Sequence, residues 1–194
     1  MALAFTPEQI EDIRQRLYKS AQRHALSTGL KKTSLDMLTA DAGISKSSFY
    51  KFYDSKEMLF LQVSMDWERE ILSAAASTLE HTQNQTNKER AAAFVYAVFE
   101  TIHRMGIARF LREDLPQLGA FIPQGPARAH CIDSAESIFH RLCDAGIRFT
   151  APEETVLSVI KLMYLSILSI GEIGDGFFPA LYVLVDGACA KLVA

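Results

Sequence analysis

The chain has 194 residues, 49% of them hydrophobic and 22% charged, a balance that supports a buried core and excludes an intrinsically disordered polymer. Its net charge of −3 hides a split: residues 1–60 hold nine Lys and Arg against seven Asp and Glu, and residues 61–194 hold eleven against sixteen, so a polyanion is expected at the N-terminal part. Cys131, Cys143 and Cys189 are odd in number and form no CxxC pair, which fits a reducing cytoplasm better than a disulfide framework.

The opening stretch MALAFTPEQIEDIR lacks a basic segment followed by an apolar one, so no secretory leader is expected. The most apolar run, 156–170, carries Lys161 and is too short to span a bilayer. A soluble, cytoplasmic protein follows from these readings.

In chain order, Thr6, Pro7 and Gln9 form a helix start with a capping box, with Phe5 and Ile10 placed as a hydrophobic staple. Ile10, Ile13, Leu17, Ala21 and Ala25 continue at helical spacing until Gly29 supplies a stop. A second short helix is expected from Thr33, burying Leu35 and Leu38, and is interrupted at Ala42-Gly43-Ile44. A third begins at Ser45 and ends near Phe52. A fourth opens at Asp54-Ser55-Lys56-Glu57 and runs to about residue 81. The polar stretch 81–87 reads as a loop. Further helices are expected over 88–105, 108–118, 126–145, 150–170 and 178–192, separated at Gly106, Gly119–Gly125, Gly146 and the glycines 171, 174 and 176. The pattern is all-α with about nine helices, and it shows no strand run or repeat.

A short helix, a Gly-containing turn and a second short helix make the helix-turn-helix geometry of DNA-binding proteins. The second helix must offer small polar and basic side chains to base edges while its other face packs inward. Ser45-Lys46-Ser47-Ser48-Phe49-Tyr50 meets that demand: Lys46, Ser47 and Ser48 for the groove, Phe49 for the core and Tyr50 for a phosphate. The stretch TSLDMLTADAGISKSSFYKFYDSKEMLFL, residues 33–61, resembles the DNA-binding domain of the TetR (tetracycline-repressor) family of bacterial regulators. The shared features are its T-S-x-x-x-L start, A-G-I-S at the turn, F-Y, and the closing D-S-K-E. The rest of the chain resembles the family in helix number and length.

The resemblance implies a DNA-binding domain over 1–56 and a ligand-binding and dimerisation domain over 57–194. It places Thr33 and Ser34 on phosphates, Lys46, Ser47 and Ser48 at bases and nearby phosphates, Tyr50 on a phosphate, and Lys56 on the DNA backbone. Lys51 joins these as a further basic contact, and Ser45 is either the cap of the recognition helix or a base reader. Tyr53 is expected to pack against Met58. Two positions depart from the family pattern. Phe52 stands where His is frequent. Asp36 stands where some members carry a base-reading cation, and it reads either as the third-position partner of Thr33 or as a change in base reading.

The five histidines (His24, His81, His103, His130, His140) show no HxxxH or HExxH spacing, so no metal and no cofactor is expected. Glu153-Glu154 suits a helix start, and no catalytic constellation is visible; the chain is not read as an enzyme. The run 155–170 is apolar nearly all round and needs a second burial partner, which by resemblance is another copy of the chain meeting it through the last two helices. Phe94, Phe99, His103, Phe110, Phe139, Met163 and Tyr164 are either ordinary core or, by resemblance, the lining of a pocket for an apolar small-molecule effector. The sequence thus points to a ligand-responsive repressor that binds a palindromic double-stranded DNA operator as a homodimer. The alternative is a helical small-molecule-binding or interaction protein whose head no longer binds DNA.

Overall fold

The computed structural model describes residues 5–121 and 134–194. Among the described residues the fold is all-α, with no strand and a lone antiparallel bridge between Phe149 and Val193. The chain divides into two compact units, Met1–Asp66 with Arg109–Ile122, and Trp67–Ala108 with Pro123–Ala194.

The first unit is built on α1 (Pro7–Leu26), α2 (Leu35–Ala42), α3 (Lys46–Phe49) and the start of α4 (Lys56–His81). Thr6 caps α1 through the expected box with Gln9. One stripe of α1, Ile13, Leu17, Ala21 and Ala25, is buried, and α2 packs closely on α1. Leu38, Phe49, Leu59 and Phe60 complete a core in which all four are 0% exposed. Leu35, expected inside, is half-buried.

The same unit takes in most of α6 (Ala108–Glu113) and all of α7 (Leu115–Leu118), followed by a 3-10 turn at Gly119–Phe121. A single helix over 108–118 was expected, and the division at Asp114 has a direct cause. Pro116 offers no N–H, and its ring clashes with the carbonyl four residues back, so a continuous helix cannot pass. The expected helix start at Pro126, the turn beyond Phe121, and His130, Cys131 and Ile132 lie outside the described residues.

The second unit holds the rest of α4, α5 (Asn87–Met105), α8 (Ser134–Asp144), α9 (Glu153–Ile167), a short α10 (Ile170–Ile173), a 3-10 turn at Gly174–Gly176, and α11 (Phe177–Leu192). Thr86 caps α5 by a box with Glu89, and Gly106 ends it. Phe94, Val98 and Ile102 are buried, as their spacing requires. α11 packs along α5 through Phe177, Leu181, Val185 and Cys189, a stripe at four-residue spacing. Two phenols brace this pair. Tyr96 donates to Asp186, and Tyr182 donates to Glu100 at 2.7 Å, with the two rings edge to face at 4.7 Å. The helix expected to reach residue 170 ends at Ile167, and the chain re-forms one turn, Ile170–Ile173, that takes in Gly171 and stops at Gly174.

Candidate nucleic-acid interface

Three consecutive caps build the candidate surface out of local sequence. Ser34 caps α2, its hydroxyl accepting from the Met37 N–H at 3.2 Å. Gly43 at φ +66° ends α2 in the left-handed region, which lets the chain turn within two residues. Ser45 then caps α3, accepting from the Ser48 N–H at 3.2 Å. Phe49 alone is drawn inward from α3, and Ser45, Lys46, Ser47, Tyr50 and Lys51 are left exposed on its other side. Ser48 is half-buried. The hydroxyls of Ser45, Ser47 and Ser48 lie 2.9–3.0 Å apart in a small cluster.

Two expectations at the start of α2 need correction. The cap is Ser34, one residue after Thr33, and its third-position partner is Met37, whose sulfur lies 3.5 Å from the Ser34 N–H. Thr33 is 0% exposed, with its hydroxyl donating to the Gly29 carbonyl at 2.7 Å, because it plugs the turn between α1 and α2. Asp36 therefore has no capping role toward Thr33. It is exposed and pairs instead with Lys46, Nζ to Oδ1 at 2.8 Å.

Tyr50 is 59% exposed and stands edge-on against Phe49, the rings 5.7 Å apart. The Lys51 ammonium sits over the Phe5 ring at 5.4 Å, and Phe5 in turn lies 6.0 Å from Phe52. Phe52 thus closes an aromatic contact with the residues just before α1. Tyr53 packs against Phe49 with rings 5.9 Å apart, and burial pushes its phenol up from the ordinary value. Lys56 is mostly enclosed and donates to the carbonyls of Leu30 at 2.9 Å and Thr33 at 2.7 Å. It ties the α1–α2 turn to the start of α4.

A second tie escaped the sequence reading. Ser20, Arg23 and His24 on α1 converge on the Asp41 carboxylate of α2, at 2.6, 2.6 and 3.1 Å. The Ser20 hydroxyl is the main influence holding the Asp41 pKa below its usual value, with His24 and Arg23 adding to it. The signal available was three polar residues at i, i+3 and i+4 beside the apolar stripe of α1.

In the second unit, an apolar cavity of about 40 Å³ lies between α5, α8, α9 and α11. Val95, Leu142, Ile160, Met163, Val185 and Cys189 are among its walls, and burial raises the Cys189 thiol to about 11. Of the residues expected at a ligand pocket, only Met163 lines this cavity. Phe94 and Phe99 are core, Phe139 stacks on Phe149 at 5.3 Å, and His103 is exposed with its ring against Phe178. Tyr164 is half-buried, its phenol raised to about 12 by burial. Phe110 belongs to the other unit. Among the described residues no group of acidic, His and Cys side chains has the arrangement of a metal site.

Comparison with known proteins bears on this geometry. Residues 17–63 match the model of the bacterial regulatory proteins of the tetR family. An uncharacterized HTH-type transcriptional regulator of Bacillus subtilis (strain 168), YdgC, is 28% identical over 111 residues, which is 56% of this chain and 53% of that protein. The chain thus matches about half the length of this curated relative. Among solved structures, a TetR family transcription regulator from Marinobacter aquaeolei VT8 superposes with a TM-score of 0.66 at 13% identity, over 97% of this chain and 99% of that one. The multidrug binding protein EbrR, complexed with imidazole, gives 0.62 at 15% identity over 88% and 92%. The fold of these neighbours is the fold of this chain. The helix-turn-helix built by α2 and α3 lies inside the stretch, residues 17–63, that matches the tetR family of bacterial regulatory proteins, and the fold is that of the TetR-family structures.

Proposed function

We propose that the chain is a ligand-responsive repressor, which binds a palindromic operator as a homodimer through its 1–56 head and releases it when a small molecule enters the body. The observation that carries the DNA half of this reading is the solvent-facing edge of α3. Ser45, Lys46, Ser47 and Tyr50 stand exposed around a buried Phe49. Short hydroxyls, a cation and a phenol suit base edges and phosphates, and nothing in the core needs them there.

The dimer reading rests on apolar side chains left in water. Leu162 and Leu165 on α9 are 67% and 56% exposed, and Val183 and Leu184 on α11 are 73% and 58% exposed. Exposed apolar side chains of this kind suit a two-fold partner, and two-fold symmetry fits a palindromic operator. The effector reading rests on the apolar character of the body and on the ligand held by the multidrug-binding neighbour. Effector and operator then oppose each other through one coupling energy, typically about 1–3 kcal/mol. Location in the cytoplasm follows from this role.

The test is fluorescence anisotropy on labelled DNA from beside the protein's own gene, at two salt concentrations, with a Tyr50→Ala variant alongside. Saturable, salt-weakened binding that the variant loses supports the regulator reading. Failure on that DNA and on a random-sequence pool would sink it and leave a helical ligand-binding protein as the better account.

A further inference from the structure

The Asp36–Lys46 pair is an anomaly for a surface that meets a polyanion. It joins the second residue of α2 to the first of α3, with the acid 71% and the base 55% exposed. An ion pair so open to water contributes little to stability. An acid there also repels phosphate and occupies the cation best placed to attract it. The pair adds almost nothing to the fold, which leaves discrimination between DNA sequences as the role its two charges can serve.

We propose that Asp36 and Lys46 act as one reading unit for a single G·C base pair in each half-site: Lys46 donates to the guanine edge, and Asp36 accepts from the cytosine amino group. This rests on the DNA-binding reading above. In the major groove guanine shows two acceptors, N7 and O6, and cytosine shows the N4 amino donor. O6 and N4 are partners in one base-pairing hydrogen bond, and so lie about 2.9 Å apart. The ammonium and carboxylate are 2.8 Å apart and offer the complementary order, donor then acceptor. Laid over G·C, each protein charge meets its opposite while keeping its partner. Laid over A·T, the ammonium meets the adenine amino donor and the carboxylate meets the thymine O4 acceptor. C·G reverses both contacts. T·A repeats the acceptor–donor order of G·C, but it offers the ammonium no N7 beside the acceptor and sets the thymine methyl there instead. The unit therefore rejects A·T and C·G by repulsion, and T·A by the lost second acceptor and the methyl.

The experiment is selection from a random-sequence DNA pool by the full-length protein, run in parallel for the native chain, Asp36→Ala, Asp36→Asn and Lys46→Ala. Circular dichroism confirms that each variant is folded. In the native motif one position per half-site is expected to be G·C. Asp36→Ala should lower discrimination at that position by on the order of tenfold and leave the other positions unchanged. It should also tighten binding to non-specific DNA and steepen the salt dependence by about one phosphate contact, because Lys46 is freed. Lys46→Ala should relax the same position, and a chain carrying both Asp36→Ala and Lys46→Ala, selected alongside, should relax it little further. A native motif that Asp36→Ala and Asp36→Asn both retain at every position overturns the reading unit and leaves the regulator standing. A native chain that enriches no motif overturns both.

Discussion

Gly29 offers the sharpest test of how the first unit is held together. Its φ is +80°, and a Cβ added there would lie 2.8 Å from Arg109 Nη1 and 3.1–3.2 Å from the Asp114 carboxylate oxygens. Alanine at this position meets two costs. The left-handed backbone costs an L-residue about 1–2 kcal/mol. The methyl also displaces the Arg109 guanidinium, which donates to the Ala25 carbonyl at 2.6 Å and lies 3.7 Å from Asp114, a carboxylate in a residue 3% exposed. Groups so enclosed lose about 1–3 kcal/mol when a partner leaves. Gly29→Ala should therefore cost about 2–5 kcal/mol. Gly106→Ala is the matched control, because φ is +68° and nothing lies within 4 Å of its Cβ, so only the backbone cost of about 1–2 kcal/mol applies. Urea unfolding followed by circular dichroism reads the difference. The protein concentration is held fixed, since self-association moves the midpoint. With a slope of about 2–3 kcal/mol per molar, the Gly29 variant should unfold about 0.3–1.5 M below the control. In an Arg109→Ala background the excess should vanish. Equal midpoints for the two glycine variants would refute the account of the Arg109–Asp114 contact.

Asp41→Asn should cost about 1 kcal/mol near neutral pH by weakening the bonds from Ser20, Arg23 and His24. Because the folded pKa is lowered from 3.8, the carboxylate's contribution is full above that value and disappears as pH falls through the folded one. The stability gap between native chain and variant should accordingly narrow below about pH 4 in unfolding titrations; a gap that is flat with pH would contradict the assignment. Lys56→Met should lower stability by about 1–3 kcal/mol, since the Leu30 and Thr33 carbonyls lose their donor. A variant with unchanged melting and weakened DNA binding would make Lys56 a phosphate contact alone. Leu162→Glu combined with Val183→Glu should convert a dimer to a monomer in light scattering, and an unchanged mass would move the interface off α9 and α11.

The helices were legible because their signals are local. Thr6 with Gln9, and the stops at Gly29, Gly106 and Gly146, each depend on residues within one turn. The start of α2 was misplaced by one residue because Thr33 and Ser34 are equivalent as caps by chemistry. What separates them is tertiary: Thr33 is taken by the Gly29 carbonyl, which leaves Ser34 at the helix end. The same limit applies to Asp36 and Lys46. Ten residues apart, on helices whose crossing the turn sets, they show no pattern that reveals a 2.8 Å contact. Lys56 reads as a free cation in sequence and becomes a cross-link only once the α1–α2 turn lies against the start of α4. The pocket residues failed to converge for a related reason. Aromatic content marks buried volume, and helix packing decides which of those residues border a void.

The last helical stretch shows how far composition alone can mislead. Ile170–Leu192 is long and apolar enough to cross a membrane, with a mean hydropathy of 1.3, and only 22% of its most apolar window is buried. Yet it is broken by the turn at Gly174–Gly176 and carries Asp175, Asp186 and Lys191. Asp186 accepts a hydrogen bond from Tyr96 of α5, so this helix uses a charged side chain to dock on a neighbour. One stripe, Phe177, Leu181, Val185 and Cys189, is already buried. Val183 and Leu184 face away from that stripe while Asp186 and Lys191 share the helix with them. Lipid would solvate the first pair and penalise the second. A second protein surface satisfies both, burying the apolar side chains at its centre and leaving the charges at a wet rim. Under the proposed dimer, the apolar excess of α11 is covered by a partner helix, which its charged side chains tolerate better than a bilayer.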